Sequence, residues 1–305
     1  MIRLNVLAAA LIVSSSMLYA QQVFRAGVDL VHFGVVVTDK KGEPVAGLKA
    51  EDFEVLEDGK PQPLTFLAGG DSGSVPPVHL GFMLDLSGSM VQDIKDVRTA
   101  AIKFLDAMPN VIDITLVDFD TEVRIARFES DDPRLVERIR SRKPDGWTAF
   151  YDALGTYLNS ASTQSGEKIL VMYTDGGDTR SAINQTELVE LLRASDVTVY
   201  AIGYLEHQGS ARTEQQQILQ RFAHTTGGQA FFPTRLKEVD KIYEKIRRDM
   251  ACRYSLGYLS INQKMDGTWR NVKVRITRPE LKDARVRTRA GYFAPYRAGS
   301  DSSPR

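Results

Sequence analysis

The chain has 305 residues, with 39 basic and 39 acidic side chains, so its formal net charge is zero and no basic excess points to nucleic acid as a partner. A hydrophobic share of 43% is enough for a substantial core, and the length suits one large or two modest domains. The single cysteine, Cys252, excludes an internal disulfide, so stability must come from packing; a small buried residue is the expectation for it.

Residues 1–20 read as a secretory signal. Arg3 gives a positive start, residues 4–13 are apolar, and small residues lead to Ala20 before Gln21-Gln22. The apolar run is short for a membrane span. An uncleaved anchor is the alternative, because Leu18 stands three before the cut. Either way the rest of the chain is expected to be exported, periplasmic or extracellular, with no membrane span once the signal is removed.

Residues 21–75 read as a β segment. Val31, Phe33, Val35 and Val37 alternate, and Lys40-Lys41-Gly42 makes a turn. A strand follows at 53–56. Asp58-Gly59 is a hairpin signal, since that pair tolerates the positive φ of a tight turn. After a strand at 64–67, the Gly- and Ser-rich stretch 69–74 reads as a linker.

From 76 to 251 strand and helix patterns alternate. An apolar run at 78–84 precedes helical spacing of Ile94, Val97, Ala101, Phe104, Leu105 and Met108. Strands at 114–119 and 123–128 are close enough to form a hairpin, hence one antiparallel edge. A short helix at 133–139 has Asp132 as its N-cap. Phe150, Ala153, Leu154, Tyr157, Leu158 and Ala161 mark a helix, followed by a buried strand at 169–173. Thr186 is expected to cap a helix carrying Leu188, Leu191 and Leu192. A strand at 197–202, a helix ending near Gly227-Gly228, a short strand at 229–232 and an amphipathic helix over 236–250 complete the segment. Such alternation predicts an α/β fold: a doubly wound, mostly parallel sheet with helices on both faces.

Residues 252–295 return to strands, at 254–260 and 272–276, with Asp266-Gly267 marking a further hairpin. Arg285, Arg287 and Arg289 alternate with Val286 and Thr288 and read as the solvated face of a strand. Residues 296–305 read as a disordered tail. Neither flank has strands enough for a stable sheet with a core. Together, 21–75 and 252–295 could form one small β-sandwich interrupted by the α/β domain.

Chemistry concentrates at three points. Asp85-Leu86-Ser87-Gly88-Ser89 follows the apolar run, Thr148 sits where a loop opens a helix, and Asp175 follows the strand at 169–173. Singly, Ser87, Ser89 and Thr148 also read as helix caps, and either acid as a loop residue. Jointly they offer hard oxygens to a hard divalent cation. Asp118 and Asp120 read as hairpin-turn residues, and Asp178 likewise. The four histidines, His32, His79, His207 and His224, lack zinc-ligand spacing.

The set Asp85, Ser87, Ser89, Thr148, Asp175 resembles the metal-ion-dependent adhesion site of von Willebrand factor type A (VWA) domains, Asp-x-Ser-x-Ser followed by a distant Thr and a distant Asp. The flanks (the pattern from Val36 to Leu48, Asp52-Phe53, Glu57-Asp58-Gly59 and Arg289-Ala290-Gly291-Tyr292) look like those of exported bacterial VWFA-related proteins. The resemblance implies a Rossmann-like fold at 76–251 and Mg²⁺ at the site, with Mn²⁺ or Ca²⁺ as alternatives. It also implies a protein partner whose exposed Asp or Glu completes the metal shell, and a last helix whose shifts couple to the site. Two rivals are a structural envelope-assembly subunit with a stabilising metal and, more distantly, a metal-dependent phosphatase. The phosphatase expects an acid two residues after Asp85, where Ser87 stands. No Gly-x-Ser-x-Gly elbow or Gly-x-x-x-x-Gly-Lys loop supports hydrolase or nucleotide chemistry. Partner identity and oligomeric state are not legible.

Overall fold

β-branched and aromatic runs bounded by turn residues become strands here, and segments with apolar residues every three or four positions become helices. The structure, a computed structural model, describes residues 30–70, 77–108, 110–175, 177–206 and 209–297. The expected signal, most of the linker and the last eight residues lie outside that set. In chain order the elements are β1 (Leu30–Thr38), β2 (Phe53–Glu57), β3 (Lys60–Gln62), β4 (Leu64–Gly69), β5 (Val78–Asp85), α1 (Ile94–Asp106), β6 (Val111–Phe119), β7 (Val123–Glu129), α2 (Pro133–Ser141), α3 (Phe150–Ala161) and β8 (Glu167–Thr174). There follow α4 (Gln185–Ala194), β9 (Val197–Gly203), α5 (Arg212–Thr225), β10 (Gln229–Phe231), α6 (Val239–Ala251), β11 (Tyr254–Leu259), β12 (Trp269–Ile276), β13 (Arg285–Arg287) and β14 (Gly291–Phe293).

Among the described residues the strands form three sheets. The central one has the order β10-β9-β8-β5-β6-β7. All its pairings are parallel except β6 with β7, the antiparallel edge. Both faces are covered, so the strands are apolar on both sides. On one face Leu80, Phe82 and Leu84 of β5 pack with α1 and α6, where Phe104 and Tyr243 stack at 4.6 Å. On the other, Met83, Leu170 and Met172 meet α3, α4 and α5. Gly81 lets α3 close on β5, because a Cβ there would overlap the Tyr157 ring. Each fully buried Leu, Phe or Met contributes roughly 2 kcal/mol by leaving water.

The other two sheets, β13-β1-β11-β4 and β14-β12-β2-β3, each combine strands from both flanks of the α/β segment. Their facing sides share one core: Phe33 and Val35, Phe53 and Val55, Tyr254 and Leu256, Val272 and Val274. Asp58 and Gly59 turn β2 into β3 with φ of 47° and 79°.

Several sequence expectations change on folding. The N-cap of α4 is Asn184, whose side chain accepts from the Thr186 and Glu187 N–H groups while Glu187 reaches back. Thr186 lies inside the helix. Asp266-Gly267 does not join paired strands: β11 and β12 belong to different sheets, and Asp266 instead bridges Tyr296. Cys252 is half-buried. Asp118 lies within β6, not in the turn, and its carboxylate meets Arg124 at 2.9 Å and Arg138 at 2.7 Å. Of the three alternating arginines, Arg285 is exposed as expected, whereas Arg287 and Arg289 are partly buried. Arg287 pairs with fully buried Asp249 of α6, and Arg289 lies against the Phe33 ring. Arg287 thus sits at the end of α6, and Arg289 between β1 and the start of β9.

Candidate functional site

Strand order reverses at β5, which has β6 on one side and β8 on the other. In a parallel sheet that reversal leaves a crevice beyond the carboxyl ends of the two central strands. Asp85 ends β5, and Asp175 directly follows β8. Both are fully buried, at 0% exposure.

A hydrogen-bonded chain links these residues. Asp85 Oδ1 accepts from the Ser87 N–H at 2.9 Å, and Asp85 Oδ2 accepts from the Thr174 hydroxyl at 2.7 Å. The Ser87 and Ser89 hydroxyls lie 3.1 Å apart, and Ser89 donates to Asp175 Oδ1 at 3.0 Å. Ser87 is buried while Ser89 is exposed, so the cluster opens to solvent at Ser89.

Helix capping does not account for these hydroxyls. Ser87 stands at the N-cap of the 3-10 turn Gly88–Val91 but makes no side-chain cap bond. Thr148 does not cap α3, whose N-cap position is Ala149.

Thr148 is buried, and its hydroxyl makes no hydrogen bond to the other four residues among the described residues. Its loop is nonetheless fastened to theirs. The Gly88 N–H donates to the Gly146 carbonyl at 3.1 Å, and the Asp145 N–H to the Leu86 carbonyl at 2.9 Å. On the other side the Thr148 N–H donates to the Thr179 hydroxyl at 2.9 Å, and the Thr148 carbonyl accepts from the Thr179 N–H at 2.9 Å. Gly146 is required here: φ is +74°, and a Cβ would overlap the Thr121 hydroxyl. That hydroxyl in turn accepts from the Trp147 N–H at 2.9 Å.

Charge is the second feature. Burial, and then the neighbouring Asp175 carboxylate, push the Asp85 pKa up to about 7, against hydrogen bonds from Ser87 and Thr174 that pull it down. No base is among these principal groups. Two buried carboxylates with three nearby hydroxyls suit a small hard dication, which relieves the repulsion and accepts neutral oxygens as ligands. No cluster of three or more His, Cys, Asp or Glu occurs among the described residues.

Sequence reasoning passed over Thr174, Thr179 and Thr121, which hold Asp85, Thr148 and Trp147 in place. Thr174 adjoins Asp175, and that adjacency was the available signal. It also passed over the surface around the site, where Trp147 is 64% and Val91 59% exposed. Arg180 is exposed there as well, with its N–H on the Thr148 carbonyl at 3.2 Å.

Comparison with known proteins agrees with this architecture. The family model described as von Willebrand factor type A domain matches residues 79–245, more than half of the chain. No curated protein sequence matches the chain. A solved structure of a von Willebrand factor type A protein from Catenulispora acidiphila is similar over 91% of this chain and 76% of that one, at 11% identity and a TM-score of 0.50. The PilB minor pilin from Streptococcus sanguinis is similar at 16% identity and a TM-score of 0.47, over 59% of this chain and 63% of the pilin's length. The vWF domain of the type V pili tip protein Mfa5 from Porphyromonas gingivalis shows 13% identity and a TM-score of 0.47, over 58% of this chain and 95% of that one. At 11% identity the likeness to the Catenulispora acidiphila protein is one of fold alone. With the reversed strand order, the antiparallel edge and the family match together, this chain belongs to the von Willebrand factor type A domain family.

Proposed function

We propose that this protein is an exported binding module. Asp85, Ser87, Ser89, Thr148 and Asp175 hold a divalent cation, Mg²⁺ in the first instance with Mn²⁺ or Ca²⁺ as alternatives, and an acidic side chain of a protein partner completes its shell. The observation that carries this is the use made of the two serines. Their hydroxyls cap nothing and instead run in a chain from Ser87 to Asp175 across the crevice between β5 and β8. The bound ion would supply positive charge that attracts a carboxylate, and the chain's own residues would orient it: Thr174 and the Ser87 N–H hold Asp85, and Thr179 holds the Thr148 backbone. This is binding chemistry and needs no nucleophile or general base.

Membership of the family supports a protein-interaction role, and the rim supports a protein as the partner. Exposed Trp147, next to Thr148, and exposed Val91, two residues after Ser89, offer apolar contact, and Arg180 adds positive charge. No helix among the described residues is long and apolar enough to cross a membrane, and the signal-like residues 1–20 motivate export.

Calorimetric titration of the metal-stripped protein with Mg²⁺ and Mn²⁺ tests the metal. One equivalent should bind wild type, and Ser87→Ala/Ser89→Ala should lose it. Envelope proteins retained on immobilised wild type should be released by chelator and absent from the double variant. Equal metal uptake by the variant would end this proposal. Full retention of partners by a variant that has lost the metal would favour a metal of purely structural use.

A further inference from the structure

At the end of the central sheet opposite Asp85, the starts of β8 and β9 abut the sandwich. A cleft of about 570 Å³ opens there, with apolar walls from Leu30, Leu158, Met265, Tyr292 and Phe293. A second cleft of about 390 Å³ shares His32, Asp196 and Arg289 with it. Junctions between domains are where ligand pockets of this size tend to form.

Arg289 borders both clefts. Its Nη2 donates to the His32 carbonyl at 2.8 Å and its Nη1 to the Ser195 carbonyl at 3.3 Å. Its guanidinium lies 4.6 Å from the centre of the Phe33 ring. A guanidinium has five N–H donors, and among the described residues only these two bonds are made. The acids nearby are committed to other bases: Asp196 to Lys168 at 2.8 Å, and Glu167 to Arg253 at 3.2 Å. Burial holds the Arg289 pKa below its usual value, with Asp196 and Glu167 acting the other way from a distance. Lys264 and Arg297 add positive charge at the mouth of the larger cleft, where Asp196 is the one acid.

A half-buried guanidinium with neutral partners and unused donors on a cleft offers an anion a charged partner. From this cleft, its apolar walls and its unneutralised guanidinium, we infer a second binding site, distinct from the metal cluster, for a small carboxylic acid with an apolar body. The carboxylate meets Arg289 and the body lies against Leu158, Met265, Tyr292 and Phe293.

The test uses octanoate as probe, with octanamide as its neutral counterpart, titrated calorimetrically into the full chain in the presence of chelator. Octanoate should bind saturably at one site, on the order of tenfold more tightly than octanamide, since a hydrogen bond to a charged group outweighs one to a neutral group by about that factor. Arg289→Gln should erase the preference. Met265→Trp, which narrows the cleft and leaves Arg289 intact, should weaken octanoate binding while melting like wild type, which covers the case that Arg289→Gln does not fold. Absence of saturable binding would overturn the proposal and leave Arg289 as a clamp between the domains. Equal affinity for octanoate and octanamide, or octanoate binding undiminished in Met265→Trp, would overturn it as well. With chelator present, none of these outcomes depends on the metal site.

Discussion

Asp85→Asn should stabilise the metal-free protein at alkaline pH, although it alters a fully buried residue. The Asp85 pKa rises from the ordinary 3.8 to about 7 in the folded chain, chiefly through burial and secondly through Asp175. The folded state therefore keeps this proton over a range where the unfolded state has released it. The sign follows from linkage: stability associated with the proton is fully present below pH 4 and is lost as pH rises through 7. At about 1.4 kcal/mol for each tenfold change, ionising Asp85 costs the fold under about 1 kcal/mol at pH 4 and about 4 kcal/mol at pH 8. The asparagine amide has nearly the same shape, its oxygen can accept the Ser87 N–H, and the Thr174 hydroxyl must turn to accept from the amide nitrogen. That rearrangement costs about 1 kcal/mol.

In chelator, urea unfolding followed by circular dichroism should thus find the variant equal to wild type or slightly weaker at pH 4, and about 3 kcal/mol more stable at pH 8. Titrating groups other than the coupled Asp175 cancel in the difference. With Mg²⁺ at a hundred times its dissociation constant, wild type should gain about 3 kcal/mol while the variant gains little. A stability difference between the two proteins that is the same at pH 4 and pH 8 would refute the reasoning, because the buried charge would then carry no cost.

Trp147→Ala should weaken partner binding more than tenfold, as loss of an exposed aromatic anchor does, with Mg²⁺ uptake and melting unchanged; a change in Mg²⁺ affinity instead would mean that the ring supports the loop. Asn184→Ala should cost about 1 kcal/mol in urea unfolding through loss of the capping box, whereas Thr186→Ala should cost a few tenths at most. Gly228→Ala should cost about 3 kcal/mol, because a Cβ there would overlap the Val199 carbonyl oxygen and β9 cannot move aside; a thermal melt within about 2 °C of wild type would contradict it.

Local periodicity was enough for most of the central segment. A strand buried on both faces must be continuously apolar, as residues 78–84 and 169–173 are, and a helix on such a sheet must repeat its apolar residues every three or four positions, as 94–105 and 150–161 do. Asp58-Gly59 was legible because few residue pairs adopt two positive φ values in succession. The order Asp85, Ser87, Ser89, Thr148, Asp175 was likewise visible, since strand ends in a parallel sheet recur along the chain. Tertiary structure alone decided the rest. Whether a serine caps a helix or faces an acid 86 residues away depends on where β8 ends, not on its neighbours. β11 and β12 are adjacent in sequence yet lie in different sheets, so Asp266-Gly267 had no partner strands to join. Alternating arginines signal a solvated strand face only if water lies beyond it; Arg285 is exposed, whereas Arg287 meets Asp249 of α6 and Tyr200 of β9, and Arg289 is held by backbone carbonyls. Periodicity reports which side of an element is buried, whereas ion pairs, sheet membership and junctions depend on what comes to lie opposite it.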